Sequence, residues 1–349
     1  MLLGTSTFSE ASGENWSRER EELLQKRIKD LGLKLEGTRL EKIVDRLYQE
    51  LEAAGIKLKP RVYLSDEWSC PDGVPIIGIP FYLAEKKLAR IEEEMMEGIE
   101  AETDEEILRY LRHEAGHALN YAYKLYESDE WRELFGPFLR PYHDDYAPQP
   151  FSRDFVRHIA GWYAQKHPDE DFSETFAVWL APDSSWREAY KEWGCYKKLL
   201  YVDRIVKNLG SADPLVTGAD YDLSKEELAY SVAEHYKKTL PPPVEVPAYF
   251  DSDLKEVFEC KVPRGKEGEW QPAKDFLASH RREMVKDIAY WTGLSDANIR
   301  SLINHFIERA KALTLLVNPE KNQQVLVKVM ALSTTLCMNK LYKGDFIIK

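Results

Sequence analysis

Apolar residues recur along most of this chain with the 3.6-residue period of amphipathic helices, and run together in extended fashion only between residues 59 and 83. Leu23, Leu24, Ile28 and Leu31 mark one helix, and Leu40, Ile43, Val44, Leu47 and Leu51 mark a second. Both read as a packing layer. Residues 59–64 read as a strand, followed by a turn at Cys70-Pro71-Asp72-Gly73 and an apolar run over residues 74–83. Pro75 and Pro80 in that run point to a sheet edge, since proline cannot donate to a ladder. Such an edge can be an ordinary protected one, or can hold an extended peptide by strand addition along Ile77, Gly78 and Ile79. Residues 85–101 read as a charged helix in which Glu92-Glu93-Glu94 is a solvated face.

A well-signalled helix follows. Thr103-Asp104-Glu105-Glu106 is a capping box, and Ile107, Leu108, Leu111, Ala115, Ala118 and Leu119 supply a buried stripe that runs to about Tyr126. Within it stands His113-Glu114-Ala115-Gly116-His117, an H-E-x-x-H pattern. Positions i and i+4 share a helix face, so His113 and His117 can place two imidazole nitrogens on one metal ion. Glu114 then lies beside that metal, where its carboxylate can take a proton from water. An amphipathic helix with two surface histidines would show the same five letters. Gly116 costs roughly 1 kcal/mol against alanine in a helix interior, which predicts the close approach of another backbone.

Residues 131–163 are aromatic-rich and broken by Pro137, Pro141, Pro148 and Pro150, a composition that can line a pocket or cap a core. A second helix opens at Pro168, a residue suited to the first helical position. Glu170 and Glu174 project from one face of it, about fifty residues after the histidines. Acidic residues at a helix start are favoured by the dipole alone, but paired carboxylates at this distance also complete a three-ligand zinc site.

Together the two motifs, His113 to His117 and Pro168-Asp169-Glu170-Asp171-Phe172-Ser173-Glu174-Thr175-Phe176-Ala177, resemble the gluzincin metallopeptidases. The nearest pattern is that of the bacterial zinc-binding metallopeptidases, with the anthrax lethal factor-like group as a wider relative. The resemblance covers roughly residues 60–185. It implies a zincin-like core, one Zn2+ per chain, and a peptide or protein substrate. In the lethal factor-like pattern the first glutamate binds zinc and a tyrosine seven residues earlier stabilises the oxyanion. In this chain that implies Glu170 as ligand, Tyr163 as the tyrosine, and Glu174 as acceptor of a ligand histidine's outer N–H. In the other register Glu174 binds zinc directly. Tyr163 falls into place only in the first, which is the register expected. Ser173 stands where the relatives usually carry alanine.

Charge and cysteine usage narrow the partners. The net charge of −12 argues against non-specific nucleic-acid binding and against anionic membrane surfaces. No apolar run is long enough to span a bilayer, and the start lacks the features of a signal peptide. Cys70, Cys195, Cys260 and Cys337 are scattered and form no C-x-x-C pair, as in a cytoplasmic protein with reduced thiols.

The second half is plainer. Residues 186–210 read as a helix, another starts near Ser224 as its cap, residues 240–247 form a stiff proline-rich linker, and the chain is helical from Gln271 onward, with a strongly apolar stretch at 312–317. The expected organisation is a helical segment over 1–58, a zincin-like catalytic domain over 59–240, a linker over 241–265 and a C-terminal helical lobe over 266–349. The expected fold class is α+β, a short mixed sheet plus active-site helices. The expected activity is zinc-dependent hydrolysis of a peptide bond with Glu114 as general base. The competing expectation is a non-catalytic regulatory or binding protein that keeps a structural or sensing zinc site.

Overall fold

A computed structural model describes residues 10–96, 98–143, 146–209, 212–217, 224, 227–239, 250–261 and 270–347. The described chain is mostly helical with small sheets, a composition compatible with the α+β class. Its contacts divide it into two units: Met1–Tyr142 with Arg153–His158 and His167–Leu240, and His143–Ser152 with Ile159–Lys166 and Pro241–Lys349.

In the first unit the elements run α1 (Glu10–Gln25), α2 (Arg39–Ala53), β1 (Arg61–Ser65), β2 (Ile76–Pro80), α3 (Lys86–Met96), α4 (Asp104–Ala122), α5 (Asp129–Phe135), α6 (Pro168–Leu180), α7 (Trp186–Ala189), α8 (Tyr196–Leu209) and α9 (Val232–Thr239). Helix α4 is the centre, packed against α6, α2 and β2. The capping box that predicts its start is formed in both directions, Thr103 accepting from the Glu106 amide while the Glu106 carboxylate accepts from the Thr103 amide. Arg112 clamps α4 to α2 through a two-pronged bond to Glu50, at 2.7 and 2.6 Å. The predicted stripe Ile107, Leu108, Leu111, Ala115 and Leu119 joins Leu40, Ile43 and Leu47 of α2 and Phe172 and Phe176 of α6 in one core.

Strands β1 and β2 pair in parallel, Val62 beside Ile77 and Leu64 beside Ile79. The expected peptide-binding edge is closed, and this corrects the reading of Ile77, Gly78 and Ile79. All of β2 is buried, with Ile77 and Ile79 fully so. The Gly78 amide donates to the Ser69 carbonyl at 2.7 Å and its carbonyl accepts from the Ser69 amide, because the turn at 70–73 folds the chain back onto that side. The Ile76 amide is taken by the Val74 carbonyl, and Pro80 has no N–H. Gly78 is required there: a Cβ would run into Ser69 Oγ and come within 2.9 Å of Ser65 Cβ.

Two further local expectations change. Glu92, read as part of a solvated face, turns inward, and burial pushes its carboxyl up to about 7. Among the described residues Ser224 caps no helix. It forms an antiparallel bridge to Ser65 and bonds Glu227, and the helix of that region starts at Val232; residues 221–223 and 225–226 lie outside the described residues.

The second unit contains α10 (Asp251–Val257), β3 (Gln271–Pro272), α11 (Ala273–Thr292), α12 (Asp296–Ala312), β4 (Leu316–Val317) and α13 (Asn322–Lys343). Its core gathers Phe250, Leu254, Phe276, Ile288, Leu302, Phe306 and Val329. Of the stretch expected as a linker, 241–249 and 262–265 lie outside the described residues, while Leu254 of α10 is fully buried and Asp251 is held by Arg309 at 2.7 Å. The apolar stretch at 312–317 ends in β4, paired antiparallel to β3. Among the described residues no helix is long and apolar enough to cross a membrane.

Candidate metal centre

The centre is built where α4 crosses α6. On α4, His113 and His117 stand one turn apart on the buried face. On α6, His167 caps the first turn: its Nδ1 accepts from the Asp169 amide at 3.2 Å, and Pro168 takes the first helical position. The acidic first turn suits the positive end of the helix, and its carboxylates face inward. Gly116 sets the separation of the two helices. A Cβ on it would lie 2.7 Å from Ser173 Cα, so the predicted close approach of a backbone is present, and it is that of α6.

His113 Nε2, His117 Nε2 and Glu170 Oε2 converge. The two nitrogens are 3.1 Å apart, and the oxygen lies 2.9 Å from the first and 3.2 Å from the second. Each imidazole is held from behind by a carboxylate: His113 Nδ1 meets Glu174 Oε1 at 2.8 Å and His117 Nδ1 meets Asp169 Oδ2 at 2.7 Å. A carboxylate only accepts, so both Nδ1 atoms carry the proton, and the two Nε2 atoms face each other and Glu170, where each ring takes up either a second proton or a cation. Asp169 is itself fixed, accepting from Asn120 Nδ2 and from the Tyr121 hydroxyl, each at 2.6 Å. The other oxygen of Glu170 accepts from the Tyr142 hydroxyl at 2.7 Å.

The electrostatics follow from this placement. Burial pulls the imidazoles down, but the carboxylates outweigh it: hydrogen bonds to Glu170 and Glu174 raise His113 to about 9, and Asp169 and Glu170 hold His117 well above its ordinary range. Burial pushes Glu170 up, and the two imidazoles more than reverse it, holding its carboxyl well below the usual range. Glu114, 6% exposed, is raised by burial, with His113 and His117 pulling the other way. The cluster therefore favours positive charge between the three converging atoms.

A metal ion fits that demand. With both rings protonated, two N–H groups would crowd a gap of 3.1 Å between nitrogens. A cation replaces both protons with one bond to each ring. Ligands of about 2.0–2.1 Å around a tetrahedral ion lie roughly 3.3 Å apart, close to the separations seen. The buried group His113, His117 and Glu170 can thus hold a metal ion.

The structure brings together His113, Glu114, His117, Glu170 and Glu174, and it places Glu170 rather than Glu174 at the point of convergence. Tyr163 belongs to the second unit, in a 3-10 turn over Tyr163–Gln165 with the Lys166 ammonium 5.3 Å from its ring. The tyrosine that meets Glu170 within the first unit is Tyr142. Sequence reasoning passed over Asp169, Asn120, Tyr121 and Tyr142. Tyr121 continues the four-residue spacing of His113 and His117, a signal that was available; Tyr142 sits in an aperiodic loop that offers none. No protein-family model, no curated protein and no solved structure matches the chain.

Proposed function

We propose that this chain is a zinc-dependent peptidase of the gluzincin type, with a zincin-like core formed around α4 and α6. The observation that carries the reading is the donor set, two imidazole nitrogens and one carboxylate oxygen oriented by further carboxylates, with Glu114 one residue beyond the first histidine. His113, His117 and Glu170 would hold the ion. Zinc held by these three residues would supply Lewis acidity there, a lowered pKa of water, toward ~7, and polarisation of a carbonyl. Glu114 accepts the proton of the attacking water and returns it to the leaving amine. Glu174 and Asp169 hold the imidazoles in the tautomer that presents Nε2. A zinc site kept only for structure or sensing needs ligands but no general base, and Glu114 is what separates that reading from this one.

The test is direct. Purified protein is expected to carry about one zinc per chain and to cleave members of a mixed fluorogenic peptide library. A chelator should remove the activity and added zinc should restore it. Metal-free protein with helix content intact, or cleavage indifferent to chelation, would overturn the proposal.

The two glutamates of α6 separate in a zinc titration. Glu170→Ala removes a ligand and should abolish tight binding. Glu174→Ala removes only the acceptor behind His113 and should weaken binding by about 10–100-fold, as Asp169→Asn should behind His117. Tight zinc kept by Glu170→Ala and lost by Glu174→Ala would show that Glu174 is the ligand.

A further inference from the structure

We propose that Tyr142 is a positioning residue that confines Glu170 to one-oxygen coordination and so keeps a corner of the metal open for water and substrate; the inference rests on the metal reading above. The carboxylate of Glu170 divides its labour. Oε2 faces both Nε2 atoms, at 2.9 and 3.2 Å, while Oε1 accepts the Tyr142 hydroxyl at 2.7 Å. A carboxylate near a cation is free to present one oxygen or both, and a strong donor on one of them settles the choice.

The placement of Tyr142 favours this role over simple packing. Glu170 is 5% exposed whereas Tyr142 is 49% exposed, so the ring is not held by burial and its hydroxyl reaches from a surface loop to a buried carboxylate. The loop is tied down two residues earlier. His167 Nε2 donates to the Arg140 carbonyl at 2.8 Å, and the same imidazole caps the helix that carries Glu170. The Tyr142 ring lies against it, with centroids 5.3 Å apart. One histidine thus fixes both the helix end and the loop, and the distance between hydroxyl and carboxylate follows from it.

Without the hydroxyl, Oε1 loses its donor and can turn onto the ion as an additional ligand. The corner needed by water would be filled while the metal stayed bound. A merely structural Tyr142 would leave coordination unchanged.

The experiment exchanges the metal for cobalt(II), whose visible bands report coordination number, in wild type and in Tyr142→Phe. Wild type is expected to give the intense absorption of four-coordinate cobalt, and Tyr142→Phe the weaker absorption of a five-coordinate ion at equal occupancy. Peptide hydrolysis by the zinc form should fall about 10–100-fold, mostly in kcat. An unchanged cobalt spectrum in Tyr142→Phe overturns the proposal and leaves the metal site standing, and so does a variant that takes up no cobalt at all. Failure of the wild-type protein to bind cobalt or zinc overturns the metal reading itself, and this inference with it.

Discussion

Glu114→Gln is expected to leave the metal and the fold in place and to lower peptide hydrolysis by about 10²–10⁴-fold, the usual contribution of a general base. The substitution keeps the shape of the side chain and removes only its ability to take a proton. Glu114 is almost fully buried among His113, His117 and Glu170, and burial has already raised its pKa. Exchanging a desolvated carboxylate for a neutral amide relieves that cost, so no loss of thermal stability should accompany the loss of rate. Metal analysis, a melting curve and hydrolysis of a fluorogenic peptide library on the same preparation separate the outcomes. Metal lost together with activity would mean that Glu114 holds the site together. Activity retained in full would remove the general base from the mechanism.

The centre was largely legible because its parts are local. A helix start with a capping box, two histidines one turn apart and a proline at the head of a second helix are each written in a few consecutive residues. Gly116 added a long-range clue, since a glycine in a helix interior asks for a close neighbour, and the neighbour is Ser173. What local pattern does not carry is which groups stand behind the two imidazoles. Asp169 and Glu170 are consecutive, and only the approach of α4 shows that one faces His117 Nδ1 and the other the converging Nε2 atoms. The β2 edge misled for a related reason. Two prolines mark an edge correctly in principle, but the tight turn at 70–73 brings Ser69 back to occupy it, a contact invisible in periodicity. The proline-broken aromatic stretch was the least readable. Its segments 143–152 and 159–166 group with the second unit and 153–158 with the first, so neighbours in the sequence make their contacts in different units.

Gly116→Ala is expected to destabilise the protein and to weaken its metal site together, against the usual direction for a helix-interior glycine. Intrinsic propensity would favour alanine by about 1 kcal/mol. The new methyl would, however, stand 2.7 Å from Ser173 Cα and 3.0 Å from its carbonyl oxygen. These are backbone atoms of a buried helix and cannot rotate aside. Overpacking of this kind costs about 1–3 kcal/mol or more, so the net effect should be a loss, and the melting temperature should fall by several degrees. The damage is aimed at the centre by geometry. Gly116 lies between Glu114 and His117, and Ser173 lies between Glu170 and Glu174, so parting the helices there draws both carboxylates away from the imidazoles. Zinc affinity should fall by at least about tenfold, in the range seen when a ligand's support is lost. Ser173→Ala supplies the contrast. The Ser173 hydroxyl is fully buried with no hydrogen-bond partner among the described residues, so its removal should be neutral or stabilising. A more stable Gly116→Ala protein with unchanged zinc affinity would show that α4 and α6 separate at little cost, and that their contact at Gly116 does not set the metal-binding distances.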